Sequence, residues 1–123
     1  MTNEQIHKLA TNAANAAAAA CTPTPMMVGT PTTPWGSSID RTKPTYYVSE
    51  GPCGFAWVKM GGNTSYGRWA KKAGLASKAY GGGVSINPSI MSQSAERNAA
   101  WARAYAQVLR QYGIECYVDS RLD

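Results

Sequence analysis

Residues 94–112 (SAERNAAWARAYAQVLRQY) limit the folds open to this chain more than any other stretch, because their apolar side chains recur with helical period. At about 100° per residue, Ala95, Ala99, Ala102, Ala106 and Leu109 fall on one line, and Trp101, Tyr105, Val108 and Tyr112 fall on a second line beside it. Glu96, Arg103, Gln107 and Arg110 take the opposite face. Ser94 suits the N-cap, where its side-chain oxygen accepts from an orphan backbone N–H. Gly113 suits the left-handed position past the C-terminus. A helix with half its circumference apolar must lie on a core. The alanine line lets it approach closely, and the aromatic line supplies buried area. Asn98 falls inside the apolar arc and is expected at its rim or bonded to backbone.

The remaining segments say what the helix covers. Residues 46–50 (YYVSE) and 55–60 (FAWVKM) read as strands separated by a Gly-Pro-Cys-Gly turn, and so as a hairpin. Residues 65–73 (SYGRWAKKA) read as a short helix with Tyr66, Trp69, Ala70 and Ala73 on one face and Arg68, Lys71 and Lys72 on the other, although Gly67 costs about 1 kcal/mol against alanine. Gly81-Gly82-Gly83 leads into a strand at 84–86, which Asn87-Pro88 ends, and 114–118 (IECYV) reads as the last strand. The expected fold is α+β in the order ββαβαβ, a four-stranded, mainly antiparallel sheet with two helices on one face. Two other segments precede that compact domain of residues 46–123. Residues 1–21 read as an alanine-rich helix whose Ile6 and Leu9 form a thin stripe, too weak to stand alone. Residues 22–45 read as an extended Pro/Thr-rich arm, since five prolines fix φ and remove donors. Met26, Met27, Val28 and Trp35 give that arm apolar side chains for docking on its own domain or on a second subunit.

Charge is concentrated. The net charge of +5 lies in residues 51–95, which hold Lys59, Arg68, Lys71, Lys72 and Lys78 and no Asp or Glu, while the rest of the chain carries 7 basic and 7 acidic residues. Such a block favours an anionic partner, nucleic acid or an acidic protein, against the alternative of a basic but idle surface. Strand alternation puts Ala56, Val58 and Met60 under the helices and Phe55, Trp57 and Lys59 on the opposite face. The last strand adds Tyr117 there, along with Glu115 and Asp119. Those aromatics can stack bases of a single strand, pack against the arm or a subunit, or be partly buried.

Catalysis is not expected. The chain has one histidine, His7, in the N-terminal segment, so Ser/His/Asp and Cys/His pairs within the compact domain are excluded. The acids are scattered, no metal-ligand spacing occurs, and the glycine run lacks the Gly-Lys-Ser/Thr of a phosphate loop. No cofactor and no metal are implied. Three cysteines without a CxxC pair suit a reducing compartment. No apolar run is long enough to span a membrane. Ala18-Ala19-Ala20-Cys21 is a superficial match to a lipoprotein cleavage site, but the preceding residues lack a leucine-rich core and a basic start.

From Cys53 onward the chain carries Cys53-Gly54-Phe55-Ala56-Trp57-Val58, Arg68-Trp69 with Lys71-Lys72, Tyr80-Gly81-Gly82-Gly83, Gln93-Ser94, Gly113-Ile114 and Ser120-Arg121-Leu122-Asp123. In these, and in Thr22-Pro23-Thr24-Pro25-Met26, it resembles a family of small tailed-bacteriophage proteins with no known activity. The resemblance implies a phage origin, the bacterial cytoplasm, and a host-takeover or counter-defence role. It transfers no functional residue. The function expected is a non-catalytic accessory protein binding nucleic acid or an acidic host protein. The alternatives are a homo-oligomeric assembly protein using its arm, or a nucleotide-sequestering protein.

Overall fold

The computed structural model describes residues 1–29, 45–79 and 81–122. Its elements are α1 (Asn3–Ala20), β1 (Met26–Gly29), β2 (Thr45–Val48), β3 (Gly54–Met60), α2 (Ser65–Lys72), β4 (Ser77–Lys78), β5 (Val84–Ile86), α3 (Ala95–Gln111) and β6 (Tyr117–Leu122). The fold is α+β, with three helices and an antiparallel four-stranded sheet ordered β4-β5-β3-β6. β1 and β2 form a separate antiparallel pair.

Alternation along β3 is as expected. Ala56, Val58 and Met60 are buried in one core with Val84 and Ile86 of β5, Tyr66 and Ala70 of α2, and Trp101, Ala102, Tyr105, Ala106 and Leu109 of α3. Both α2 and α3 therefore lie on the same face of the sheet. The Trp101 and Tyr105 rings stack with centroids 5.0 Å apart. Truncating either to alanine would cost about 3–5 kcal/mol by the usual toll of large-to-small core changes. Asn98, inside the apolar arc, donates to the carbonyls of Gly54 at 2.9 Å and Ser92 at 3.1 Å. Ser94 caps α3, and Gly113, with φ 78°, ends it as the Ile114 N–H reaches the Leu109 carbonyl at 3.0 Å.

Three expectations change. The pairing of 46–50 with 55–60 does not form: β2 pairs with β1 from the expected arm, and β3 pairs with β5 and β6. The intervening turn is instead fixed to the start of α3, where Cys53 bridges Ser94, Ser94 Oγ–H donates to the Glu50 carbonyl at 2.9 Å and the Ala95 N–H donates to the Pro52 carbonyl at 3.0 Å. The order ββαβαβ gains a strand, β4, at the sheet edge. The last strand begins at Tyr117 rather than Ile114, with Ile114 and Cys116 packed on the core as it enters. The rest of the expected arm, residues 30–44 including Trp35, lies outside the described residues, as do the side chains of Met26, Met27 and Val28.

The N-terminal helix finds its docking surface within the chain. Its buried line is Ile6, Ala10, Ala14 and Ala18, while Leu9 is 41% exposed. Alanine at every fourth position lets α1 approach α3 closely, and α3 answers with three polar links, also four residues apart. Arg97 Nη1 donates to the Ala18 carbonyl at 2.8 Å, Trp101 Nε1 donates to Asn15 Oδ1 at 2.9 Å, and the Tyr105 hydroxyl is hydrogen-bonded to His7 Nδ1 at 2.7 Å. The two helices therefore run antiparallel. Arg97 also pairs with the Glu50 carboxylate at 3.0 Å, tying the turn after β2 to the same contact.

Candidate anion-binding cleft and the open sheet face

The short helix α2 is a poor helix by sequence and is held by its neighbours. Thr64 caps it, accepting from the Gly67 N–H at 3.0 Å and donating to the Gly61 carbonyl at 2.8 Å. Gly67 is required there: a Cβ would sit 2.5 Å from the Gly61 carbonyl oxygen and 2.8 Å from Thr64 Oγ1. Burial of Tyr66 and Ala70 turns Arg68, Lys71 and Lys72 outward, all exposed.

On β4, Lys78 pairs with Val84, whose side chain enters the core, so Lys78 stands on the helix side of the sheet edge. Arg68, Lys71, Lys72 and Lys78 therefore converge on one solvent-open cleft of about 810 Å³. Its remaining lining is the 61–63 turn with Gly83 and Val84, and no acidic side chain lines it among the described residues. Such an array favours anions electrostatically, and the glycine backbone leaves room for close approach. Gly83, with φ 75°, cannot carry a side chain, since a Cβ would meet the Met60 carbonyl oxygen at 2.4 Å.

Lys59 does not join this cleft. It projects from the opposite face of β3, with its Nζ 6.0 Å from the Tyr117 ring centroid. The register places Lys59 against Tyr117 and Ser85, Trp57 against Asp119, and Phe55 against Arg121. Phe55 and Tyr117 are 48% and 51% exposed and Trp57 is half-buried. Arg121 lies over the Phe55 ring at 5.4 Å. Sequence reading missed Arg121 because it ended the last strand at Val118. Carrying the alternation one step past Asp119 would have found it.

A second group that sequence reading missed joins all three helices. His7 Nδ1, the Tyr105 hydroxyl and the Tyr66 hydroxyl form a hydrogen-bonded chain with steps of 2.7 and 2.6 Å, and Thr11 Oγ1 lies 3.4 Å from His7 Nε2. The His7 and Tyr66 rings also pack on Trp69. Burial lowers the His7 pKa from its ordinary value, pushes Tyr66 up to about 12 and raises Tyr105 further. All three are therefore neutral near pH 7, and the chain is a polar clamp. Burial likewise raises the Cys116 thiol, against the opposing pull of Arg110. Among the described residues, no three His, Cys, Asp or Glu side chains gather to hold a metal ion, and no helix is long and apolar enough to cross a membrane. In comparisons with known proteins, no family model, no curated protein and no solved structure matches this chain.

Proposed function

We propose that this protein binds nucleic acid without catalysing a reaction, holding the phosphate backbone at the cationic cleft. The convergence of Arg68, Lys71, Lys72 and Lys78 on one cleft free of lining acids carries this reading. Four cations spread around an open cleft outnumber the charges of a single phosphate and suit a polyanion passing through. An accessory role in the bacterial cytoplasm, implied by the resemblance to tailed-bacteriophage proteins, is compatible with that ligand. The apolar line of α1 is used inside the chain, so an assembly role has less to draw on from that helix.

The test is a salt titration of binding to a 12-nucleotide oligonucleotide. The four cleft cations contribute about −2.8 to the slope of log K against log salt, at roughly −0.7 per contact on a single strand. Lys71→Ala with Lys72→Ala removes half of that contribution and makes the slope shallower by about 1.4. Absence of binding at 50 mM salt, or an unchanged slope in the double variant, overturns the reading. Polyglutamate competing as well as oligonucleotide at equal charge would assign the cleft to an acidic protein instead.

A further inference from the structure

We infer that the nucleic acid held at the cleft is single-stranded and continues across the open sheet face, where Phe55, Trp57 and Tyr117 stack unpaired bases. This rests on the cleft reading and names its substrate class. Three observations carry it.

The first is the composition of the face. Three aromatic rings lie on adjacent positions of β3 and β6, outside the core cluster, and Phe55 also lines a cleft beside Ala95, Glu96, Ala99 and Arg103 of α3. Phe55 and Trp57 are two residues apart on one strand, about 7 Å, a spacing that lets each ring take a separate base.

The second is charge complementarity. Arg121 lies against the Phe55 ring and Lys59 against the Tyr117 ring, at diagonal corners of the aromatic group. A base on either ring brings its phosphate beside a cation, as single-strand grooves require. Two acids lie near: Asp119 faces Trp57 across the pair, with its Oδ1 accepting from the Ser120 N–H at 2.9 Å, and Glu96 lines the cleft that Phe55 and Arg121 share.

The third is continuity. Gly83 lines the cleft, and a Cβ on Gly81 would lie 3.6 Å from Lys59 Nζ. The turn between the two surfaces carries no side chain at Gly81, Gly82 or Gly83, and all three have positive φ. A strand leaving the cleft over these three glycines reaches Lys59 and then the rings. A duplex, whose bases are stacked on one another, has none to offer them.

The experiment compares wild type, Phe55→Ala, Trp57→Ala and Tyr117→Ala for binding to a 12-nucleotide oligo(dT) and to a 12-base-pair duplex at one salt concentration. Thermal melts confirm that each variant folds. Wild type is expected to prefer the single strand, and each substitution to weaken that binding by about 5-fold or more while leaving duplex binding unchanged. A second readout needs no destabilising change: oligo(dT) quenches tryptophan fluorescence in wild type and not in Trp57→Phe. Equal affinity for single strand and duplex, or ring variants that bind oligo(dT) as wild type does, overturns the inference and leaves the cleft reading standing. Loss of all binding even in wild type overturns the cleft reading itself.

Discussion

Tyr105→Phe isolates the polar clamp between the helices, because it removes one oxygen and keeps the ring that stacks on Trp101. That oxygen is fully buried and serves two neighbours, His7 Nδ1 at 2.7 Å and the Tyr66 hydroxyl at 2.6 Å. Each neighbour then loses its partner. Leaving a buried polar group unpaired costs about 1–3 kcal/mol, and only the Tyr66 hydroxyl belongs to a nearly fully buried residue, so the total should be about 2–3 kcal/mol. For a chain of this length, 1 kcal/mol moves the melting temperature by roughly 3–5 °C, giving a fall of about 6–15 °C. Urea unfolding should show a lower midpoint at unchanged slope, since the area exposed on unfolding barely changes. Tyr112→Phe is the control: that ring is 41% exposed, and its hydroxyl should matter by less than about 0.5 kcal/mol. If Tyr105→Phe matches the control, the hydroxyl chain is not what locks α1 and α2 to α3.

Two further outcomes follow from the same structure. Gly83→Ala should cost more than about 2 kcal/mol in urea unfolding, because it combines positive φ with a Cβ 2.4 Å from the Met60 carbonyl oxygen, whereas Gly82→Ala meets only the strain of its φ of 108° and should cost less. Stability should also fall as pH drops below about 6.5: the unfolded chain protonates His7 there, the folded chain only at lower pH, and His7→Gln should flatten this part of the profile. At the alkaline end, Tyr66 should cause a loss between about pH 10 and about pH 12, as the unfolded tyrosine ionises first. A urea midpoint constant from pH 5 to 7 would contradict the acid limb.

What could be read from the sequence divides along physical lines. Alternation and helical period are local, so the inward set Ala56, Val58 and Met60, the outward set Phe55, Trp57 and Lys59, and the caps Ser94 and Gly113 were all legible. The seat of α1 was not, because a search for hydrophobic bulk selects Ile6 and Leu9, whereas close approach selects Ala10, Ala14 and Ala18. The partner of β2 was hidden by its short connection to β3, which suggests a hairpin unless the hydrogen bonds to the α3 N-terminus are known. The acid-free block pointed to the cleft. Its membership depended on a two-residue edge strand with no pattern of its own, which brings Lys78 in, and on sheet parity, which sends Lys59 to the other face.

On the proposed function, the sequence of α2 is a compromise between stability and binding, and that compromise can be tested. In eight residues it contains a glycine, and Arg68 faces Lys71 and Lys72 at i+3 and i+4, where like charges repel. Only Lys71 and Lys72 gain from lying near the helix C-terminus. Nothing in the fold requires Arg68 to be cationic, since its side chain is exposed and lines the cleft rather than the core. Arg68→Glu would replace repulsion with an attractive Glu-to-Lys pair in the favoured order and place an acid near the helix N-terminus. It should stabilise the protein by about 0.5–1 kcal/mol. In the same variant, oligonucleotide affinity should fall by at least 5-fold, because one phosphate contact is lost and an acid enters the cleft. Stabilisation with loss of binding is the signature of a residue retained for its ligand. Stabilisation with unchanged binding would mean that the cations meet on α2 without a common task, and destabilisation would mean that Arg68 supports the helix in a way its exposure does not reveal.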